Sequence, residues 1–123
     1  MKADNSFSKN FRLRSAQDFS YLRTNSKRID TPWIRVYYKD SRTSLDETRI
    51  GLSVSKKVGK ANKRNRFKRI LREQFRLSEC KYLAKDVLII VSPRIFKRFT
   101  DAKDSEKALI SSFNEALRSL SRP

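Results

Sequence analysis

The residues of this chain best suited to chemistry are cations set close together. Residues 56–76 hold Lys56, Lys57, Lys60, Lys63, Arg64, Arg66, Lys68, Arg69, Arg72 and Arg76, with Glu73 the one acid. This window therefore carries +9 of a formal net charge of +17, and the other 102 residues carry +8. Charge concentrated in this way marks a localised face for a polyanion. Other chemistries are excluded. The chain has no histidine, so a Ser-His-Asp or Cys-His nucleophile and a His-ligated zinc site are not available. Its single cysteine, Cys80, builds neither a cysteine cage nor an internal disulfide, which fits a reducing compartment. It reads as a packing residue at a helix end. A two-metal nuclease needs clustered carboxylates. Asp46 and Glu47 fall in a predicted loop, and Asp101 and Asp104 near a predicted helix start, where solvation and capping explain them. The chain thus offers binding chemistry and no active site of its own.

The elements that position these cations follow from length and pattern. A chain of 123 residues suits one domain with a real core. With two Gly and three Pro it should be rich in regular structure. Residues 1–10 read as a flexible polar segment without the apolar core of a signal peptide, and residues 11–123 as a single domain. Ser15, with Asp18 three residues on, caps a first helix carrying Phe19 and Leu22 and ending near Asn25-Ser26. Thr31-Pro32 opens an extended stretch. There Ile34, Val36 and Tyr38 share one face, and Trp33, Arg35 and Tyr37 the other. A second strand spans Arg49–Ser55. Its Ile50, Leu52 and Val54 face the core, and Gly51, Ser53 and Ser55 form a small polar face open to a ligand.

After a turn at Lys56–Lys60, with Gly59 free to take unusual dihedrals, a helix runs from about Ala61 to Leu77. Phe67, Ile70, Leu71, Gln74 and Phe75 form its inward stripe. Asn65, Lys68, Arg69, Arg72 and Arg76 lie opposite as a cationic comb, with Arg64 and Arg66 on the flanks. Val87–Val91 reads as a strand buried on both faces, reached by a parallel crossover. Arg94–Thr100 reads as irregular. Asp104 caps a last helix, Ser105–Leu120, whose stripe is Leu109, Ile110, Phe113, Ala116, Leu117 and Leu120. The simplest architecture is α+β, one sheet layered with helices.

Three polyanions compete for the comb. A membrane would need a broader apolar face than this helix offers once its stripe serves the core, and the apolar run Val87–Val91 is far too short to span a bilayer. A major groove of DNA would call for a helix-turn-helix pair, which the pattern lacks. Single-stranded RNA suits cations beside aromatic platforms. Tyr37, Tyr38, Phe19 and Trp33 supply aromatics, although Phe19 and Trp33 taken alone read first as core packing. The expected location is cytoplasmic.

The joined run Arg49-Ile-Gly-Leu-Ser-Val-Ser-Lys-Lys-Val-Gly-Lys-Ala61, followed by Arg64-Asn65-Arg66-Phe67-Lys68-Arg69, closely resembles the bacterial ribonuclease P protein component. The resemblance extends to Arg12-Leu13, Phe19, Thr31-Pro32 and Asp86–Val91. It implies a single-domain αβββαβα sandwich with a mostly antiparallel sheet and a left-handed βαβ crossover, where the general rule predicts a right-handed one. It implies a protein subunit of an endoribonuclease that removes the 5′ leader of precursor tRNA, with the catalytic RNA subunit performing the cleavage through magnesium bound mainly by that RNA. Partners are then the catalytic RNA and precursor tRNA; no membrane is expected, and a protein homo-oligomer is not predicted. By the same resemblance Lys56, Lys57, Lys60, Arg64, Asn65, Arg66, Lys68, Arg69 and Arg72 bind RNA. Phe19, Tyr37, Ser53 and Ser55 line a cleft for the single-stranded leader, and Arg12 and Arg14 add an N-terminal basic contact. No residue is assigned as catalytic or as a metal ligand. Two positions depart from the family pattern: Arg23 stands where an aromatic is frequent, and Asn62 where an apolar residue is. The competing readings are a basic protein of another ribonucleoprotein, such as the ribosome, and an autonomous nuclease.

Overall fold

The computed structural model describes Leu22, residues 26–40 and residues 47–122. The expected first helix, apart from Leu22 and Ser26, lies outside this set, as do residues 1–21, among them Arg12, Arg14 and Phe19. Four strands form one sheet: β1 (Lys27–Asp30), β2 (Ile34–Asp40), β3 (Arg49–Ser53) and β4 (Lys85–Val91). Their order is β1-β2-β4-β3. β1 and β4 both pair antiparallel with β2, and β3 pairs parallel with β4. A 3-10 turn (Lys56–Val58) and helix α1 (Ala61–Arg76) connect β3 to β4, followed by a second 3-10 turn (Glu79–Tyr82). A one-turn helix α2 (Ile95–Arg98) and the long helix α3 (Ala102–Ser121) complete the chain. The mixed sheet with its two long helices is the expected α+β class.

The register sorts the strand residues into two faces. Val36 stands across from Ile89 and Ile89 from Leu52, while Tyr38, Val87 and Ile50 form the next row. These residues join Phe67, Leu71 and Phe75 of α1 and Leu109, Phe113, Ala116, Leu117 and Leu120 of α3 in one core. Each large apolar side chain buried this way contributes roughly 1.5–3 kcal/mol. The inward alternation expected for β2 and β3 is the one observed.

Five local expectations are corrected. Strand β1 was absent from the residue-level reading, because Lys27-Arg28-Ile29-Asp30 is a polar edge strand with only Ile29 packed against the core. β4 is buried on one face only: Val87, Ile89 and Val91 are buried, whereas Leu88 and Ile90 are half-buried on the opposite side. The Arg94–Thr100 stretch contains a helical turn, fixed by the fully buried Ile95. α3 begins earlier than expected. Its cap is Asp101, whose carboxylate accepts the Lys103 N–H at 3.4 Å, with Asp104 in the first turn. Trp33 does not stand on the outward face alone. It lines a concavity with Arg35 and Tyr37, but it also packs against the core, edge-on to Phe99 at 5.4 Å, and its backbone N–H donates to the Ser112 hydroxyl at 3.3 Å.

The parallel β3–β4 pair is anchored by buried polar groups. Arg49 donates from Nε and Nη2 to the two carboxylate oxygens of Asp86 at 3.0 and 2.9 Å, and Asp86 is fully buried. Beside it the buried Thr48 accepts the Leu83 N–H at 2.9 Å and donates its own N–H to the Lys81 carbonyl at 2.8 Å. Cys80 is buried in the core, its thiol donating to the Leu117 carbonyl at 3.3 Å, and burial raises its pKa. That placement matches the packing role read from the sequence.

Candidate nucleic-acid interface

The comb is built on a turn that two residues fix. The Ser55 hydroxyl accepts the N–H of Lys57 at 3.2 Å, capping the 3-10 turn. Gly59 has φ 153°, which a residue with a Cβ resists, and its N–H closes on the Lys56 carbonyl at 3.2 Å. β3 ends at Ser53, so Ser55 belongs to this turn rather than to the sheet floor where alternation placed it.

α1 then turns Phe67, Leu71 and Phe75 inward, which sets the cations outward. Lys56, Lys57, Lys60, Asn65, Arg66 and Arg69 are exposed; Arg64, Lys68 and Arg72 are half-buried. Among the described residues, no carboxylate pairs with Lys56, Lys57, Lys60, Arg64, Lys68 or Arg69. The Arg64 Nε is buried and has no hydrogen-bond partner, an uncommon condition for a buried donor. Asn65, Arg69, Arg72, Glu73 and Arg76 line an open groove of about 440 Å³ on the outer face of the helix. Glu73 pairs with Arg76, whose hydrogen bond holds the Glu73 carboxyl below its usual pKa.

The second surface is the other face of the sheet. Tyr37, Leu88 and Gly51 stand in one row across β2, β4 and β3, and Arg35, Ile90 and Ser53 in the next. Tyr37 and Ser53 thus share a face, as the alternation required, about 12 Å apart, two strand spacings across and one row along. Tyr37 is half-buried and Ser53 exposed, with the half-buried Leu88 and Ile90 between them as an apolar floor. At one end this face deepens into a concavity of about 360 Å³, lined among others by Pro32, Arg35, Tyr37, Ile90 and Ser92. Asp30 at its rim accepts from Arg28 and Arg35 at 3.0 and 2.9 Å.

One participant escaped the sequence reading. Glu106 of α3 accepts a forked pair of hydrogen bonds from Arg66, and that pairing lowers the Glu106 pKa. No local pattern links residues 40 positions apart; only the packing of α3 beside α1 does. The region offers donors and charge on α1 and an aromatic and apolar floor on the sheet, groups suited to phosphates and bases.

Comparison with known proteins places the fold and the family. The Ribonuclease P family profile matches residues 7–119. A ribonuclease P protein component of Clostridium botulinum (strain Loch Maree) is 32% identical over 105 residues, covering 85% of this chain and 93% of its own. One of Staphylococcus epidermidis is 38% identical over 82 residues, covering 67% and 70%. Among solved structures, the ribonuclease P protein of Staphylococcus aureus superposes with a TM-score of 0.73 at 28% identity, covering 90% of this chain and 95% of its own. That of Thermotoga maritima gives 0.72 at 25% identity, covering 88% and 96%.

Proposed function

The chain belongs to the ribonuclease P protein family and so to the subunits of an endoribonuclease holoenzyme, and from that premise we propose how its surfaces divide the work. The turn and outer face of α1 bind the catalytic RNA subunit. The sheet face with Tyr37 and Ser53 takes the single-stranded 5′ leader of precursor tRNA, and removal of that leader is carried out by the RNA. The observation that carries this reading is the set of six cations on α1 and its turn that have no carboxylate partner among the described residues, together with a sheet face holding Tyr37 and Ser53. Each phosphate that such a cation meets releases condensed counterions, so binding weakens steeply with salt. Tyr37 and the apolar floor suit unstacked bases. Among the described residues no three of His, Cys, Asp or Glu gather as a metal-holding group, and a cationic face repels Mg²⁺. Magnesium is assigned mainly to the RNA in this reading, where it would supply an activated water and charge stabilisation for cleavage. The protein's part is to lower repulsion between two RNAs, which reduces the magnesium needed to bring them together.

The test is cleavage of precursor tRNA by the holoenzyme, reconstituted with wild type, Arg64→Ala or Tyr37→Ala. Arg64→Ala is expected to reduce activity more at low magnesium than at high. Tyr37→Ala is expected to weaken binding of leader-bearing substrate while leaving mature tRNA unaffected. Equal losses at both magnesium concentrations, or on both RNAs, would refute the corresponding half of the proposal, and cleavage by the protein alone would refute the whole.

A further inference from the structure

Arg66 and Glu106 meet where α1 and α3 run side by side. Arg66 donates from Nε and Nη2 to the two oxygens of Glu106, the Nη2–Oε1 bond measuring 3.0 Å. The two partners sit at different depths: the Arg66 side chain is 57% exposed and that of Glu106 20%. Glu106 is seated in the first turns of α3, between the fully buried Ser105, whose hydroxyl donates to the Ala102 carbonyl at 2.9 Å, and the fully buried Leu109. It is therefore a fixed acceptor beneath a projecting guanidinium.

A guanidinium has two forked edges, one made by Nε–H with Nη2–H and one, at its end, by Nη1–H with the second Nη2–H. Glu106 occupies the first edge. The end-on fork makes no hydrogen bond among the described residues, and that edge matches a phosphate bidentately. We propose that Glu106 is a positioning residue, holding one edge of Arg66 so that the other is presented, already oriented, to a phosphate of an RNA backbone. This rests on the RNA-binding reading above and deepens it. It makes a prediction of unusual sign. Charge alone says that deleting an acid from a basic surface tightens binding to a polyanion; the positioning role says that it weakens it.

The experiment measures affinity of the protein for the catalytic RNA across a salt series, for wild type, Glu106→Ala, Glu106→Gln, Arg66→Ala and the double variant Arg66→Ala/Glu106→Ala. Glu106→Ala is expected to weaken binding roughly three- to tenfold, the net worth of an oriented hydrogen bond. The slope of log affinity against log salt should flatten by about 0.7–0.9, one phosphate contact. Glu106→Gln, nearly isosteric and able to accept one of the two bonds, should fall between, and it preserves the test if the alanine variant folds poorly. In the Arg66→Ala background the Glu106 substitution should have no further effect. Equal or tighter binding by Glu106→Ala overturns the inference, as does a loss that persists undiminished without Arg66. If Arg66→Ala itself leaves RNA affinity unchanged, the failure lies instead in the RNA-binding reading of the comb.

Discussion

The two long helices begin in opposite ways. α3 starts at Asp101, whose carboxylate caps the Lys103 N–H, and carries Asp104 in its first turn. Both acids place negative charge at the positive end of the helix dipole. α1 starts at Lys60, whose side chain makes no cap bond, and its first turn contains no acid. Lys63 and Arg64 instead add positive charge where the dipole is already positive. By helix physics alone this start is worse by about 1 kcal/mol or more. α1 nevertheless holds 16 residues, because Phe67, Leu71 and Phe75 are buried and tertiary packing supplies what the terminus lacks. The contrast teaches that local stability has been left aside at the start that carries the proposed RNA-binding cations, and kept at the start that carries only the acid holding one of them.

Converting one start into the other gives the largest expected effect. Lys60→Asp hands α1 an acidic cap. It should raise stability by about 1 kcal/mol in urea unfolding while weakening catalytic-RNA binding by more than about tenfold. Unchanged RNA affinity would break the comparison. Asp101→Ala is the reverse case: a loss of about 1 kcal/mol of stability, with RNA affinity unaltered. A matching drop in RNA binding would show that the Asp101 cap itself serves the interface. The smallest effect concerns pH. The folded-state pKa values of Glu73 and Glu106 are lowered by Arg76 and Arg66, so the stability from these pairs is complete above the unfolded carboxylate value of about 4.3. It is lost as pH falls through the lower folded values. A titration from pH 8 to 6 should therefore leave both pairs intact, and a stability change in that window that disappears in Glu106→Gln would contradict it.

What could be read from the sequence follows from the range of the forces involved. α1, its inward stripe and its outward cations rest on a 3.6-residue period within one segment, and they emerged within one residue of their bounds. β2 and β3 rest on a two-residue period, and the shared face of Tyr37 and Ser53 follows from it. β1 was invisible because an edge strand with one inward residue has no period to detect. The half-open state of β4 was hidden because Val87–Val91 is apolar on both sides, and only its neighbours decide which side is covered. The Arg66–Glu106 and Arg49–Asp86 pairs join residues 40 and 37 positions apart, a distance over which charge patterning carries no information. The short helix at Ile95 was missed because a single turn fixed by one buried side chain leaves no pattern.

The turn between the sheet and the comb has a metrical consequence. Seven residues separate Ser53, the end of β3, from Ala61, the start of α1. The Ser55 cap and the Gly59 backbone hold their path. If the leader lies on one side of that turn and the catalytic RNA on the other, the turn is a gauge block, setting one spacing for every substrate whatever its sequence. Selection of the bond to be cut then becomes a matter of length rather than of letters, and an altered gauge would announce itself in cuts at the wrong bond before it did so in slow ones.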